Sequence, residues 1–431
     1  MIHTVEVFLW GSRIGALYKT EAMPAASFEY DREFQKSGIE LAPLTMPLSE
    51  RLYQFHGLSE DAFHGVPGLI ADSLPDKFGN AVINRWLAVN GRLPESFTAL
   101  DRLCYTGKRG MGALEYVPST GPESFNDPID VTEMTRFAAD VLTGRESLSV
   151  AEGDVRLAQL LEIGASAGGA RAKAVIAWNE KTGEVRSGQI NAGEGFRYWI
   201  LKFGGVEGNG DHGLKDKKQY TLVEYAYYRM ALDCKIHMTE SRIYEKDGIR
   251  HFLTERFDRV NGKKLHMQSL GAMVHADYNQ PGLMSYEEFA NCARLLGIGR
   301  QGIEQIFRRM EFNVTAVNCD DHVKNFSFLM DREGEWSLAP AYDMTFAYQR
   351  GNQWLSGHQM TINGKTNHIE EEDILTCGKT MGLSRAFCRR EIGQIRSVAD
   401  RWMEYAQQAG ISERRADEIR HGMLLWRKEE A

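Results

Sequence analysis

Residues 318–325 read Asn318-Cys319-Asp320-Asp321-His322-Val323-Lys324-Asn325, and this stretch decides how the rest of the chain is understood. Asp320 and Asn325 are separated by four residues, and Asp343 follows in Pro340-Ala341-Tyr342-Asp343. Magnesium takes hard oxygen ligands and keeps several waters, so a nucleotide site needs one or two protein carboxylates or amides. Phe326–Leu329 and Trp336–Leu338 read as two strands joined by the polar turn Asp331–Glu335. A hairpin there would bring Asn325 and Asp343 to one end. Taken alone, the same loop also reads as a surface segment with several carboxylates.

Upstream, Gly164-Ala165-Ser166-Ala167-Gly168-Gly169-Ala170-Arg171-Ala172-Lys173 is a glycine-rich loop before a short strand, Ala174–Trp178. Gly168 and Gly169 would let backbone N–H groups approach phosphate oxygens, and Lys173 adds charge. The spacing departs from G-x-G-x-x-G, and no Gly-Lys-Ser/Thr of a Walker loop occurs. A flexible turn into a strand fits it as well. In the next strand, Tyr198–Phe203, period-two alternation puts Lys202 on a face with Tyr198 and Ile200, opposite Trp199, Leu201 and Phe203. Such a lysine needs a partner, a ligand or a snorkelling path to water. Glu224, on the helix expected over 220–234, is a candidate partner, though a solvated helix carboxylate reads the same way. Thr254-Glu255-Arg256-Phe257-Asp258-Arg259 ends a strand. Its backbone could meet adenine and Asp258 a ribose, and a salt-bridged surface segment is the other reading.

The order of these signals is glycine loop, strand Lys, helix Glu, hinge, D-x-x-x-x-N, metal Asp. That is the order of the bilobal protein kinases, whose catalytic-loop Asp accepts the substrate hydroxyl proton.

The opening hairpin is expected at Val5–Leu17 around Gly11-Ser12, a helix at Asp76–Val89 and a tight turn at Arg109–Gly112. Ser285 with Glu288 is a capping-box signature. From about 262 the pattern is mainly helical, closing with helices near 385–409 and 412–428. Pro118–Pro128 reads as a linker, since three of the chain's 11 prolines fall there. The expected division is therefore 1–118, linker 119–130, a strand-rich 131–261 and a helical 262–431.

Composition bounds the rest. In 431 residues, 51 Lys+Arg against 59 Asp+Glu give a net charge of −8, which excludes a generally basic nucleic-acid coat. The 42 glycines are in excess, but composition cannot separate turns from a phosphate cradle. The six cysteines form no C-x-x-C and read as reduced thiols. No secretory signal or long apolar span is visible, so a cytoplasmic location without membrane contact is expected.

The chain resembles the HipA family, serine/threonine kinase toxins of type II toxin–antitoxin modules. The residues that carry the resemblance are Ser166–Lys173, Trp199-Ile200-Leu201-Lys202-Phe203, Glu255–Arg259, Asn318–Ser327 and Tyr342-Asp343. In the N-terminal third they are Phe8-Leu9-Trp10-Gly11 with Ile14-Gly15, and Leu69–Phe78 around Asp72-Ser73-Leu74-Pro75-Asp76. Conventional kinases carry H-R-D and D-F-G, where this chain has Cys-Asp-Asp-His and Tyr-Asp-Met.

The resemblance implies an α+β, bilobal, kinase-like fold: an N-terminal α/β subdomain, a strand-rich nucleotide region and a mainly helical C-terminal lobe. It implies ATP and Mg as cofactors, with Asp320 as catalytic base, Asn325 and Asp343 on magnesium, and Lys202 on the phosphates. The backbone of Glu255 and Phe257 would meet adenine and Asp258 the ribose. Ser166 would be an inhibitory autophosphorylation site, and Gly208–Gln219 a mobile loop. The implied partners are a helix-turn-helix antitoxin of the HipB type, which would make the DNA contacts, and a protein substrate such as an aminoacyl-tRNA synthetase, glutamate–tRNA ligase being one case. A small-molecule kinase, a lipid kinase or a silent nucleotide-binding co-repressor would share these residues. The presence of Asp320, Asn325 and Asp343 together argues against the silent form.

Overall fold

The structure, a computed structural model, describes residues 2–121, 126–143, 155–164, 171–206, 219–260 and 262–429. They form two compact units. The first comprises residues 1–218, 242–268 and 332–334, and the second 219–241, 269–331 and 335–431.

The first unit holds two five-stranded sheets and the two-stranded ribbon Arg259–Val260 with Lys263–Lys264. Strands β1 (Thr4–Leu9) and β2 (Ser12–Tyr18) form the expected opening hairpin. With β3 (Ser27–Tyr30), β4 (Tyr53–Gln54) and β5 (Leu114–Val117) they make a sheet of order β4-β3-β2-β1-β5. The second sheet comprises β6 (Lys173–Trp178), β7 (Val185–Ser187), β8 (Arg197–Lys202), β9 (Ser241–Lys246) and β10 (Ile249–Glu255), in the order β7-β6-β8-β10-β9. Alternation along the strands sends Ala174 and Ile176 of β6, and Trp199 and Leu201 of β8, into one core. Helix Lys77–Val89 adds Phe78, Val82 and Ile83 to it, and helix Val155–Gly164 adds Leu160 and Ile163. Asp76 starts the first of these helices by accepting the Gly79 N–H at 2.6 Å, an N-cap that stabilises by about 1 kcal/mol.

That shared core places residues 1–118 and the strand region in one compact unit. The stretch read as a linker is tied at both ends. Thr120 N–H donates to Cys104 O and Ile129 N–H to Val185 O. The Arg109–Gly112 turn is anchored as well. The Gly112 N–H donates to Asp258 Oδ2 at 2.7 Å, and at φ +73° a side chain there would meet the Met267 backbone at 2.9 Å.

The second unit is mainly helical. Helix Tyr286–Leu295 begins with the expected capping box of Ser285 and Glu288. Helix Arg300–Ala316 follows, and the hairpin Ser327–Met330 with Trp336–Leu338 pairs Phe328 with Leu338. The single helix expected at 385–409 is two, Arg385–Ala399 and Trp402–Gln408, with Trp402 buried at the break. All six cysteines are free and buried. No described helix is long and apolar enough to cross a membrane.

Candidate functional site

In the second unit, helix Arg300–Ala316 ends on Val317 at φ +58°, a strained conformation for a β-branched residue. It persists because the N–H groups of both Val317 and Asn318 donate to Asn313 O. The chain then passes through Asp320 and Asp321 without regular secondary structure. Asp321 is the anchor. It is buried and accepts from Tyr286 Oη (2.7 Å), His358 Nδ1 (2.9 Å) and Gln359 N (2.7 Å). Asp320, its neighbour, keeps about a quarter of its side-chain surface exposed.

His322 caps the short 3-10 turn Val323–Asn325. Its Nδ1 accepts the Lys324 N–H at 3.2 Å, so in the neutral ring Nε2 carries the proton, 3.9 Å from Asp320 Oδ1. The turn swings Asn325 back, and its Nδ2 donates to the Asp320 carbonyl at 2.7 Å. The side-chain oxygen of Asn325 is thereby the end left to face outward from that bond. Asp343 follows the hairpin at φ +53°, in the left-handed region. Asn325 and Asp343 line one small cavity with Asn318, Asp321 and Arg309. The two predicted metal residues thus stand together, for the reason the hairpin suggested.

The donor set of this cavity suits a hard divalent cation. Its wall carries the Asp343 carboxylate and the amides of Asn318 and Asn325, while the Asp321 oxygens are taken by Tyr286, His358 and Gln359 and Arg309 is the one guanidinium. The buried Asn318 Oδ1 has no hydrogen-bond donor. Among the described residues no group of three His, Cys, Asp or Glu side chains forms a metal cluster. Magnesium held by Asn and Asp oxygens and completed by phosphates and water needs no such cluster.

In the first unit, Lys173 and Lys202 are direct cross-strand partners in the β6–β8 ladder, both buried. Lys202 Nζ lies 5.9 Å from the ring centroid of Phe252, its partner on β10. Like charges placed opposite one another in a ladder repel, so the pair is suited to an anion. Asp76 Oδ2 lies 3.8 Å from Lys173 Nζ, both side chains being buried. The residue that caps a helix is also the carboxylate beside a candidate phosphate lysine. Spacing in the sequence held no signal for that contact.

The remaining residues have mixed outcomes. Glu255 forms a bidentate pair with Arg197 (3.1 and 2.7 Å), and its backbone ends the ladder opposite Trp199. Phe257 is half-buried just beyond it. Glu224 is buried on helix Tyr220–Asp233, in the second unit. Asp258 is held within the first unit. Its fully buried carboxylate accepts from Arg256 Nε and Nη2 (2.9 and 2.8 Å), Arg259 Nη1 (2.7 Å) and Gly112 N. Burial pushes its pKa up, but the two guanidiniums pull it well below the ordinary carboxylate value. Its oxygens clamp the Gly112 turn, so a ribose contact would compete with these bonds. Gly168, Gly169, Ser166 and residues 208–218 lie outside the described residues.

A larger cleft of about 630 Å³ in the first unit is lined by Lys19, Asn80, Asn84, Phe97 and Arg102, among others. Leu74 and Pro75 of the segment singled out in the sequence line it, but none of the candidate catalytic, metal or nucleotide residues does.

A family model described as the HipA-like C-terminal domain matches residues 165–423, and one described as the HipA N-terminal domain matches residues 5–117. No curated protein matches the chain in sequence. Among solved structures, the chain is similar to one from the Shewanella oneidensis MR-1 complex of the toxin–antitoxin system HipA, HipB and its operator DNA. Identity is 17%, coverage is 97% of this chain and 95% of that one, and the TM-score is 0.66. The Helicobacter pylori proinflammatory kinase CtkA aligns over 52% of this chain and 92% of its own, at 9% identity and a TM-score of 0.31.

Proposed function

The chain belongs to the HipA family, and from that premise we propose that it is a cytoplasmic ATP- and magnesium-dependent serine/threonine protein kinase, the toxin of a HipA/HipB-type toxin–antitoxin module. The observation that carries this reading is the Asp320–Asn325 loop, closed by a 2.7 Å hydrogen bond, with Asn325 and Asp343 on one cavity wall.

Asp320 orients the substrate hydroxyl and takes its proton at the carboxylate. The Asn325 amide on the Asp320 backbone carbonyl fixes the loop that carries this carboxylate, and His322 Nε2 lies 3.9 Å from it. Lys173 and Lys202 bind phosphate oxygens, and the β10 terminus at Glu255 and Phe257 offers backbone groups to adenine. Asn325 and Asp343 hold magnesium, which when bound neutralises charge developing on the transferred phosphoryl group. Ser166 is the site of inhibitory autophosphorylation, since a dianion beside the ATP phosphates is repelled.

The protein substrate is an aminoacyl-tRNA synthetase, such as glutamate–tRNA ligase, whose phosphorylation arrests translation and growth. A helix-turn-helix antitoxin of the HipB type makes most of the DNA contacts, in keeping with the net charge of −8 on this chain. The test is incubation of the purified chain with ATP, magnesium and host lysate, followed by phosphoproteomics. The expected result is one dominant phosphorylated protein and a phosphate on Ser166. Phosphate appearing only in small molecules would replace the protein-kinase reading with a metabolite kinase.

A further inference from the structure

The hydrogen bonds behind the Asp320 loop run in one direction. The Asp321 carboxylate accepts, so Tyr286 spends its only hydroxyl proton on it at 2.7 Å. The Tyr286 oxygen must then accept from Asn313 Nδ2, at 2.9 Å. With its amino end committed, Asn313 presents Oδ1, which accepts from Asn318 Nδ2 at 3.1 Å. The amide of Asn318 is therefore fixed with Oδ1 at its other end. That atom is buried, has no donor, and belongs to a residue on the same cavity wall as Asn325 and Asp343. A buried acceptor without a donor is costly and needs an occupant.

The geometry points to Asn318 Oδ1 as the acceptor for a water molecule in the shell of the divalent cation held by Asn325 and Asp343. This rests on the metal reading given under Proposed function. Magnesium gives up its waters reluctantly, and a metal-polarised water is a strong donor. Such a water needs a fixed acceptor beyond the metal, which Asn318 supplies. Arg309, on the same wall, is a donor only and cannot take that place. Asn318 is thus a positioning residue, oriented from Asp321 through Tyr286 and Asn313.

The test uses the full chain, Mn²⁺ as the probe and electron paramagnetic resonance titration in the presence of a non-hydrolysable ATP analogue. Asn318→Ala should weaken Mn²⁺ binding about tenfold, the lower end for loss of an outer-shell partner. Affinity for the analogue without metal should not change. Tyr286→Phe keeps the ring and removes the hydroxyl that sets the direction of the relay. It should weaken Mn²⁺ binding less, and it carries the test if Asn318→Ala does not fold. Asp343→Ala separates the two levels. If it leaves Mn²⁺ binding intact, the metal reading falls and this inference with it. If it abolishes binding while Asn318→Ala lowers only the melting temperature, the metal reading stands and the role of Asn318 is overturned.

Discussion

Lys173 and Lys202 stand directly opposite each other on neighbouring antiparallel strands, both buried, with Asp76 3.8 Å from the first. The two lysines therefore have separable roles. Lys202→Met should weaken ATP binding at least tenfold, about 1.4 kcal/mol or more, as read by calorimetry. Lys173→Met should weaken ATP binding too, and should also cost stability, because Asp76 loses a buried cation. About 1–3 kcal/mol by urea denaturation is expected. Equal stability of the two variants would contradict the assignment of Asp76 to Lys173.

Asp258 is assigned to structure. Asp258→Asn leaves Arg256 and Arg259 buried beside a neutral amide and weakens the anchor of the Gly112 turn. A loss of about 3–5 kcal/mol in urea denaturation is expected, with metal-free nucleotide affinity unchanged in the folded fraction. A stable variant with weakened nucleotide binding would restore the ribose role.

The pH dependence of stability should carry a histidine signature. Burial pushes His251, His266 and His275 down to about 4 from the ordinary 6.5. His251 Nδ1 accepts the Gly204 N–H at 3.1 Å, an acceptor that protonation removes. Between those values the unfolded chain binds protons that the folded chain refuses. Stability is whole above the ordinary histidine value and falls as pH drops toward 4. The melting temperature should therefore decline from about pH 7 to about pH 5. His251→Gln, which keeps an acceptor for Gly204, should flatten that decline. An unchanged slope would contradict it.

Much of this was legible in the sequence because it is local. The opening hairpin, the helix beginning at Asp76, the Ser285–Glu288 cap and the Asp320–Asn325 spacing are encoded within a few residues of one another. The hairpin after Asn325 was legible too, and with it the placing of Asp343 beside Asn325. What could not be read depends on contacts distant in the chain. Asp258 meets Gly112 across 146 positions, and Tyr286 reaches Asp321 across 35. The adjacent Asp320 and Asp321 have the same side chain but different environments. The partly exposed one is the candidate base and the buried one the anchor. Pro118–Pro128 has linker composition, but the sequence does not show that one core continues from Phe78 to Trp199 on either side of it.

The central claim is phosphoryl transfer to protein with Asp320 as the base. Its most direct test is incubation of host lysate with ATP labelled at the γ-phosphate, wild type against Asp320→Ala, with both proteins shown to be folded by circular dichroism. The account predicts a labelled serine or threonine protein with wild type, and labelling reduced by about 10²–10⁴ with the variant, the range of general-base catalysis. Equal labelling by the two proteins would contradict it.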